Sequence, residues 1–264
     1  MRKCVIIALA ALAASTVVGD VKGTIVTENG DAKKGLIRWS GRSKAYVVTV
    51  GKVEVEVPAT DVAELEIDKP AAFDAAVEQV EKGQGAAAIP SLAKIVKEYA
   101  HLQWDKTAGR YLAQAYVAAS KPEEALKTCQ SIISGDPEAA YKGDLAPAYW
   151  NALLSLDKKS QLEKALEKAA KSGDRFSSAS ALTMRGDIIL KDGKDSADAA
   201  KKALADGYLR VVLLYRDADV AARVRPEALY KAAKCFEKLG QSGRVDAMRT
   251  ELKAYASSPW AAKQ

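Results

Sequence analysis

GRYLAQAYVAASKPEEALKTCQSIISGDP, residues 109–137, is the stretch on which the fold turns. Leu112, Ala113 and Tyr116 recur at the spacing of one helix face, and Ser120-Lys121-Pro122 breaks the run. Ala125, Cys129 and Ile132 then resume it until Pro137 closes it. Ala113 and Ala125 are twelve positions apart, and Ala113 and Pro137 twenty-four. Two antiparallel helices joined by a short turn satisfy this pattern. Small side chains at Ala113 and Ala125 let the helices approach, and Tyr116 fills the gap to whatever packs next.

This spacing resembles the tetratricopeptide repeat, whose Leu-Gly-x-x-Tyr, Ala, aromatic and closing Pro it matches in order. The resemblance implies a superhelix of stacked hairpins. Leu229, Ala232, Ala233 and Phe236 begin a second match, with Gly240-Gln241-Ser242-Gly243 as its turn and Ala247, Ala254 and Pro259 completing it. A third surrounds Leu182, Gly186 and Ile189, and residues 71–99 and 144–172 are degenerate, which makes five helix pairs. Helices are expected at 71–82, 86–99, 105–119, 122–134, 144–157, 160–172, 176–191, 196–215, 226–239 and 243–256. The phrases from Tyr208 to Asp217, from Pro226 to Phe236 and from Tyr255 to Pro259 resemble tetratricopeptide proteins of the bacterial envelope. These are the outer-membrane assembly and cell-division coordinator type. Arg216 stands where that group has a proline, and its lipid-bearing cysteine is missing.

Residues 20–68 have a different texture, short β-rich runs divided by turn residues. Strands are expected at 21–27, 35–40, 44–50, 52–57 and 62–67, with a hairpin at Glu28-Asn29-Gly30-Asp31 where both central residues tolerate positive φ. Val53, Val55 and Val57 alternate with Glu54 and Glu56, so that strand has one buried and one wet face. Asn29-Gly30, Gly35-Leu36-Ile37 and the Pro58 turn give the module the look of an SH3-like small β-barrel. That likeness implies binding of a peptide or of the cell wall. The fold class expected is therefore α+β multidomain: a small N-terminal SH3-like β-barrel over 20–68, then an all-α tetratricopeptide-like superhelix over 71–264.

Arg2 and Lys3, an apolar run from Val5 and small residues toward Gly19 have the layout of a secretory signal peptide over 1–19. The run is too short for a membrane span. Cleavage predicts a periplasmic protein, peripheral to the outer membrane, with no integral span. The charge of +6, with 40 basic and 34 acidic residues, falls to +4 when Arg2 and Lys3 are lost. A mild, interspersed surplus is a solvated surface, and export argues further against a nucleic-acid partner. Cys129 and Cys235 sit at apolar helical positions and read as buried thiols. His101 alone cannot build a histidine metal site. With no phosphate loop, metal cluster or catalytic acid pair, no enzyme activity and no cofactor are expected.

Two functions remain. In the first, an adaptor holds a protein or peptide partner in the envelope on its helical array. Arg110, Gln114, Asn151, Arg185 and Lys231 are the candidate contacts, as first-helix positions outside the hairpin interfaces. In the second, the β module recognises peptidoglycan or another ligand through Trp39 and Tyr46, and the helices position or oligomerise it. Trp104, Trp150 and Trp260 read as core, and the Lys158-Lys159 and Lys201-Lys202 pairs as exposed helix surface.

Overall fold

The computed structural model describes residues 20–263, which form two compact units. The segment read as a signal peptide lies outside the described residues. One unit holds residues 20–68 together with Lys97–Leu102, and the other the rest of the described chain.

The first unit is a five-stranded antiparallel sheet of β1 (Val21–Thr27), β2 (Ala32–Ser40), β3 (Ala45–Val50), β4 (Val53–Pro58) and β5 (Val62–Ile67), in the order β4-β3-β2-β1-β5. Period-two alternation puts Ile25, Ile37, Val48, Val57 and Ile67 on one face, all buried. The outermost strands β4 and β5 are consecutive in the chain, joined only by the 3-10 turn Ala59–Asp61. Four flat inter-strand spacings would separate them by about 19 Å, whereas four Cα steps reach at most about 15 Å. The sheet must therefore curl. The Glu28 N–H donates to the Asp61 carbonyl (2.9 Å) and the Ala59 N–H to the Lys44 carbonyl (3.2 Å), pinning that turn beneath the two hairpin ends. The pairing leaves the outer edges of β4 and β5 open, so the structure establishes a curled sheet and not the closed barrel expected. At the first hairpin only Gly30 takes a positive φ (+84°), and its N–H bonds the Thr27 carbonyl (2.8 Å). The turn is a four-residue loop and not the two-residue form that Asn29-Gly30 suggests.

The second unit contains α1 (Phe73–Glu81), α2 (Gly85–Glu98, of which the last two residues belong to the first unit), α3 (Trp104–Ala118), α4 (Pro122–Ile133), α5 (Leu145–Ser155) and α6 (Lys159–Lys171). It continues with α7 (Arg175–Asp192), α8 (Ala197–Ala203), a π-helical segment Leu204–Tyr208, α9 (Leu209–Leu214), α10 (Ala218–Lys238) and α11 (Ser242–Lys253). The helices α1, α3, α5, α7 and α10 end in the same way. A residue with positive φ, at Gly83, Ser120, Asp157, Lys194 or Gly240, is followed by one whose N–H reaches back five positions. These bonds are Gln84 to Gln79, Lys121 to Tyr116, Lys158 to Leu153, Asp195 to Leu190 and Gln241 to Phe236, at 2.8–3.0 Å. This is the six-to-one closure that satisfies the last carbonyls of a helix. The first four caps are each 37 residues apart, and the last follows after 46. A repeat of constant length thus runs through the unit, with nine extra residues before the fifth pair.

Counted from the caps, the buried positions fall into register. Five residues after each cap stand Ala88, Ala125, Leu162, Ala199 and Val245, all buried. Seven residues before stand Ala76, Ala113, Trp150, Asp187 and Ala233. The register corrects the sequence reading of the last pair, because Ala247 and Ala254 are exposed and Val245 and Leu252 fill the core. The extra residues lie ahead of Pro226, not in the turn that closes α10. The first helices lie side by side, α3 on α5, α5 on α7 and α7 on α10, and the second helices pack behind them. Trp150 is fully buried and donates its Nε1 proton to the Ala140 carbonyl (2.9 Å).

Two departures from the expected helices have physical causes. α10 starts eight residues before Pro226, although the breaker pattern predicts a start at that proline. Pro226 forfeits one backbone bond, but the added turns bury Ala221 and Val224 and let Arg223 reach Asp144 and stack 3.8 Å over Phe176. In the segment 197–214 the buried residues come in pairs every four positions: Ala199-Ala200, Ala203-Leu204, Gly207-Tyr208 and Val211-Val212. In a pure α-helix such pairs would rotate by about 40° per repeat, or about 120° in all. The π turn takes up one additional residue and swings them back to a common face.

Candidate functional site

The layer of first helices carries the residues singled out for partner contact. Gln114 on α3, Asn151 on α5 and Arg185 on α7 are exposed, one on each of three neighbouring helices. Arg110 and Lys231 are placed differently. Arg110 is four-fifths buried, with Nη1 3.6 Å from Asp144, its guanidinium 4.2 Å over the Tyr111 ring and its Nε without a hydrogen-bond partner. It braces the start of α5, where Asp144 also receives Arg223.

Lys231 is turned into the protein. Its Nζ lies 2.7 Å from Asp187 of α7 and 2.6 Å from Glu227 one turn earlier, with the Trp260 ring 5.7 Å away. The other Asp187 oxygen accepts the Tyr208 hydroxyl proton at 2.7 Å. Asp187 occupies the repeat position held by alanine in three other pairs and by Trp150 in one. A carboxylate in a core column must find partners or neutralise. Burial pushes the Asp187 carboxyl above the usual carboxylate range despite the Lys231 ammonium beside it. Burial works against the Lys231 charge, but Glu227 and Asp187 outweigh it and hold its pKa above the ordinary value. Burial and the Asp187 charge likewise raise the Tyr208 phenol.

Glycines make this contact possible. A Cβ on Gly207 would lie 2.9 Å from the Gly186 backbone, and one on Gly186 would lie 2.5 Å from the Tyr208 ring. The π turn and α7 therefore meet backbone to backbone, with Tyr208 laid over Gly186 and its hydroxyl delivered to Asp187. The donors and acceptors of this network face one another, which makes it a clasp between α7 and α10 rather than an open receptor.

In the first unit, the Trp39 and Tyr46 rings are 5.0 Å apart, edge to face. Trp39 also lies 4.9 Å from His101, and the Tyr46 hydroxyl donates to the His101 carbonyl (3.3 Å). Both rings are half-buried. A pocket of about 450 Å³ opens elsewhere in the unit, between the first hairpin (Glu28, Asn29, Asp31) and the end of β4 with its 3-10 turn (Glu56, Pro58, Asp61). Four carboxylates and Lys33 line it, and neither Trp39 nor Tyr46 does. No local sequence signal announces this pocket, because the curl of the sheet creates it.

Cys129 and Cys235 are buried free thiols. Burial pushes Cys129 up to about 12 and Cys235 up to about 11. Among the described residues no group of three or more His, Cys, Asp or Glu side chains could hold a metal ion, and no helix is long and apolar enough to cross a membrane.

No protein-family model matches the sequence, and no curated protein does. Two solved structures are similar in part. Both are kinesin light chain-like proteins of nearly identical TPR-like repeats from Podosopora anserina. The first, a form of that protein carrying a single glutamine-to-methionine substitution, is 14% identical with a TM-score of 0.42, covering 69% of this chain and 91% of its own. The second is 13% identical with a TM-score of 0.40, covering 70% and 92%.

Proposed function

We propose that this protein is a non-enzymatic scaffold of the bacterial envelope that holds a protein or peptide partner on a tetratricopeptide-like helical array. The 37-residue repeat carries this reading, because it sets first helices side by side with an exposed polar residue on each of three. Such a layer presents a periodic surface to an extended or helical ligand. Gln114, Asn151 and Arg185 are the contacts; Arg110 and Lys231 support the layer from within. The leader-like first nineteen residues supply the address.

The triple variant Q114A/N151A/R185A tests this by crosslinking in the native envelope followed by mass spectrometry. Partner capture is expected to fall at least tenfold with the melting temperature unchanged. Undiminished capture overturns the assignment of this face.

The acidic pocket favours a second reading, in which an SH3-like N-terminal module takes a cationic peptide or an amine-bearing wall fragment. E56Q/D61N would then abolish capture while the triple variant retained it.

A further inference from the structure

The helical unit breaks its own repeat at one place. The second helices α2, α4, α6 and α11 are 12 to 14 residues long, whereas the continuous helix from Ala197 to Leu214 has 18. Part of the nine-residue excess before the fifth pair is thus an extension of the fourth second helix. That extension ends in Leu213 and Leu214, which are 58% and 59% exposed, the most exposed large apolar side chains of the helical unit.

Val211 and Val212 bury the inner side of the same turn, so the outward leucines are not a fraying end. The π turn keeps the exposed Lys202, Arg210 and Leu213 on the outward side, while Leu209 packs against the core. Among the described residues no ion pair engages Lys202, Arg210 or Arg216, while Lys201 is held by Asp198; of the nearby carboxylates Asp217 is held by Arg175, and Asp206 and Asp219 have no ion pair. Tyr215, half-buried and 5.2 Å from the Arg175 guanidinium, follows directly. The run from tip to base is therefore two leucines, an amphipathic ring and free guanidinium groups.

We infer that Leu213 and Leu214 dock the helical unit on an anionic lipid surface, with Arg210, Arg216 and Lys202 at the headgroups. The leucines stand at a helix end without walls, a form that suits insertion into a bilayer interface and not the apolar groove that seats a peptide helix. Aromatic and basic residues flanking an apolar tip match the depth profile of that interface. Two leucines and three cations give reversible, salt-sensitive association.

The test puts one environment-sensitive fluorophore on the full chain at L213C in a C4S background, Cys129 and Cys235 being buried. Vesicles of equimolar phosphatidylglycerol and phosphatidylcholine are titrated against vesicles of phosphatidylcholine alone, with circular dichroism to verify folding. On the anionic vesicles the probe is expected to shift to the blue and to be quenched by nitroxide-bearing lipid. A probe at S242C should stay in water. R210Q/R216Q should weaken the response about 25-fold, as two cations of roughly fivefold each. A probe at residue 213 that remains in water while the chain is vesicle-bound, or an equal response on both lipids, overturns the inference. So does shielding of residue 213 by an acidic protein with no response to vesicles.

Discussion

Replacing Lys231 by methionine probes the clasp most directly. The change keeps the length of the side chain and removes the charge that sits 2.7 Å from Asp187 and 2.6 Å from Glu227. At an effective dielectric of about 20, opposite charges at this distance attract by about 6 kcal/mol, part of which offsets their desolvation. Removing Lys231 leaves the buried Asp187 carboxyl with only the Tyr208 hydroxyl for company and Glu227 without its ammonium partner. A net loss of about 3–5 kcal/mol at pH 7.5 is expected. The pH dependence has a definite sign. Asp187 already lies above the usual carboxylate range, and losing Lys231 raises it further. A carboxyl whose folded pKa exceeds its unfolded value binds more protons folded than unfolded as the pH falls. The deficit of K231M should therefore shrink between pH 7.5 and pH 5. D187A, which installs the alanine found at this repeat position in three other pairs, should restore part of the stability of K231M. Urea unfolding followed by tryptophan fluorescence measures all three proteins. A cost below about 1 kcal/mol, or a deficit that widens on acidification, refutes the reasoning.

Other outcomes follow from the same geometry. G207A drives a Cβ against the Gly186 backbone, which cannot yield, and should cost more than about 2 kcal/mol in thermal unfolding. G109A meets only the Ile132 Cδ1 tip and should cost less than G207A. S120G relieves a positive φ of 58° at a helix cap and should raise stability by about 1 kcal/mol, with no gain if that cap is unstrained. Cys129 and Cys235, pushed up to about 12 and about 11, should resist a thiol reagent at pH 8 in native buffer and react in denaturant.

Local chemistry made much of the fold legible. Alternating valines and Gly-containing turns marked the strands, and β1 and β5 begin and end where that pattern does. Apolar spacing placed α3 and α4 within a residue or so, since Ala113, Ala125 and Cys129 obey a period that any buried helix pair must obey. The candidate contacts were half legible. Exposure of Gln114, Asn151 and Arg185 follows from helix phase, but phase does not say that Lys231 would meet Asp187, 44 residues away in sequence.

By itself the sequence determined which segments are strand and which are helix, because these depend on side-chain period, turn residues and breakers within a few positions. It did not display the 37-residue repeat. The positive-φ cap that marks each unit is glycine at 83 and 240 but serine, aspartate and lysine at 120, 157 and 194. Those residues accept a strained backbone only because both flanking helices are held by packing. Tertiary structure also decided that α10 runs through Pro226, that the sheet curls to form an acidic pocket, and that a carboxylate can stand in a core column. Each of these costs free energy locally and persists because contacts from distant parts of the chain outweigh the cost.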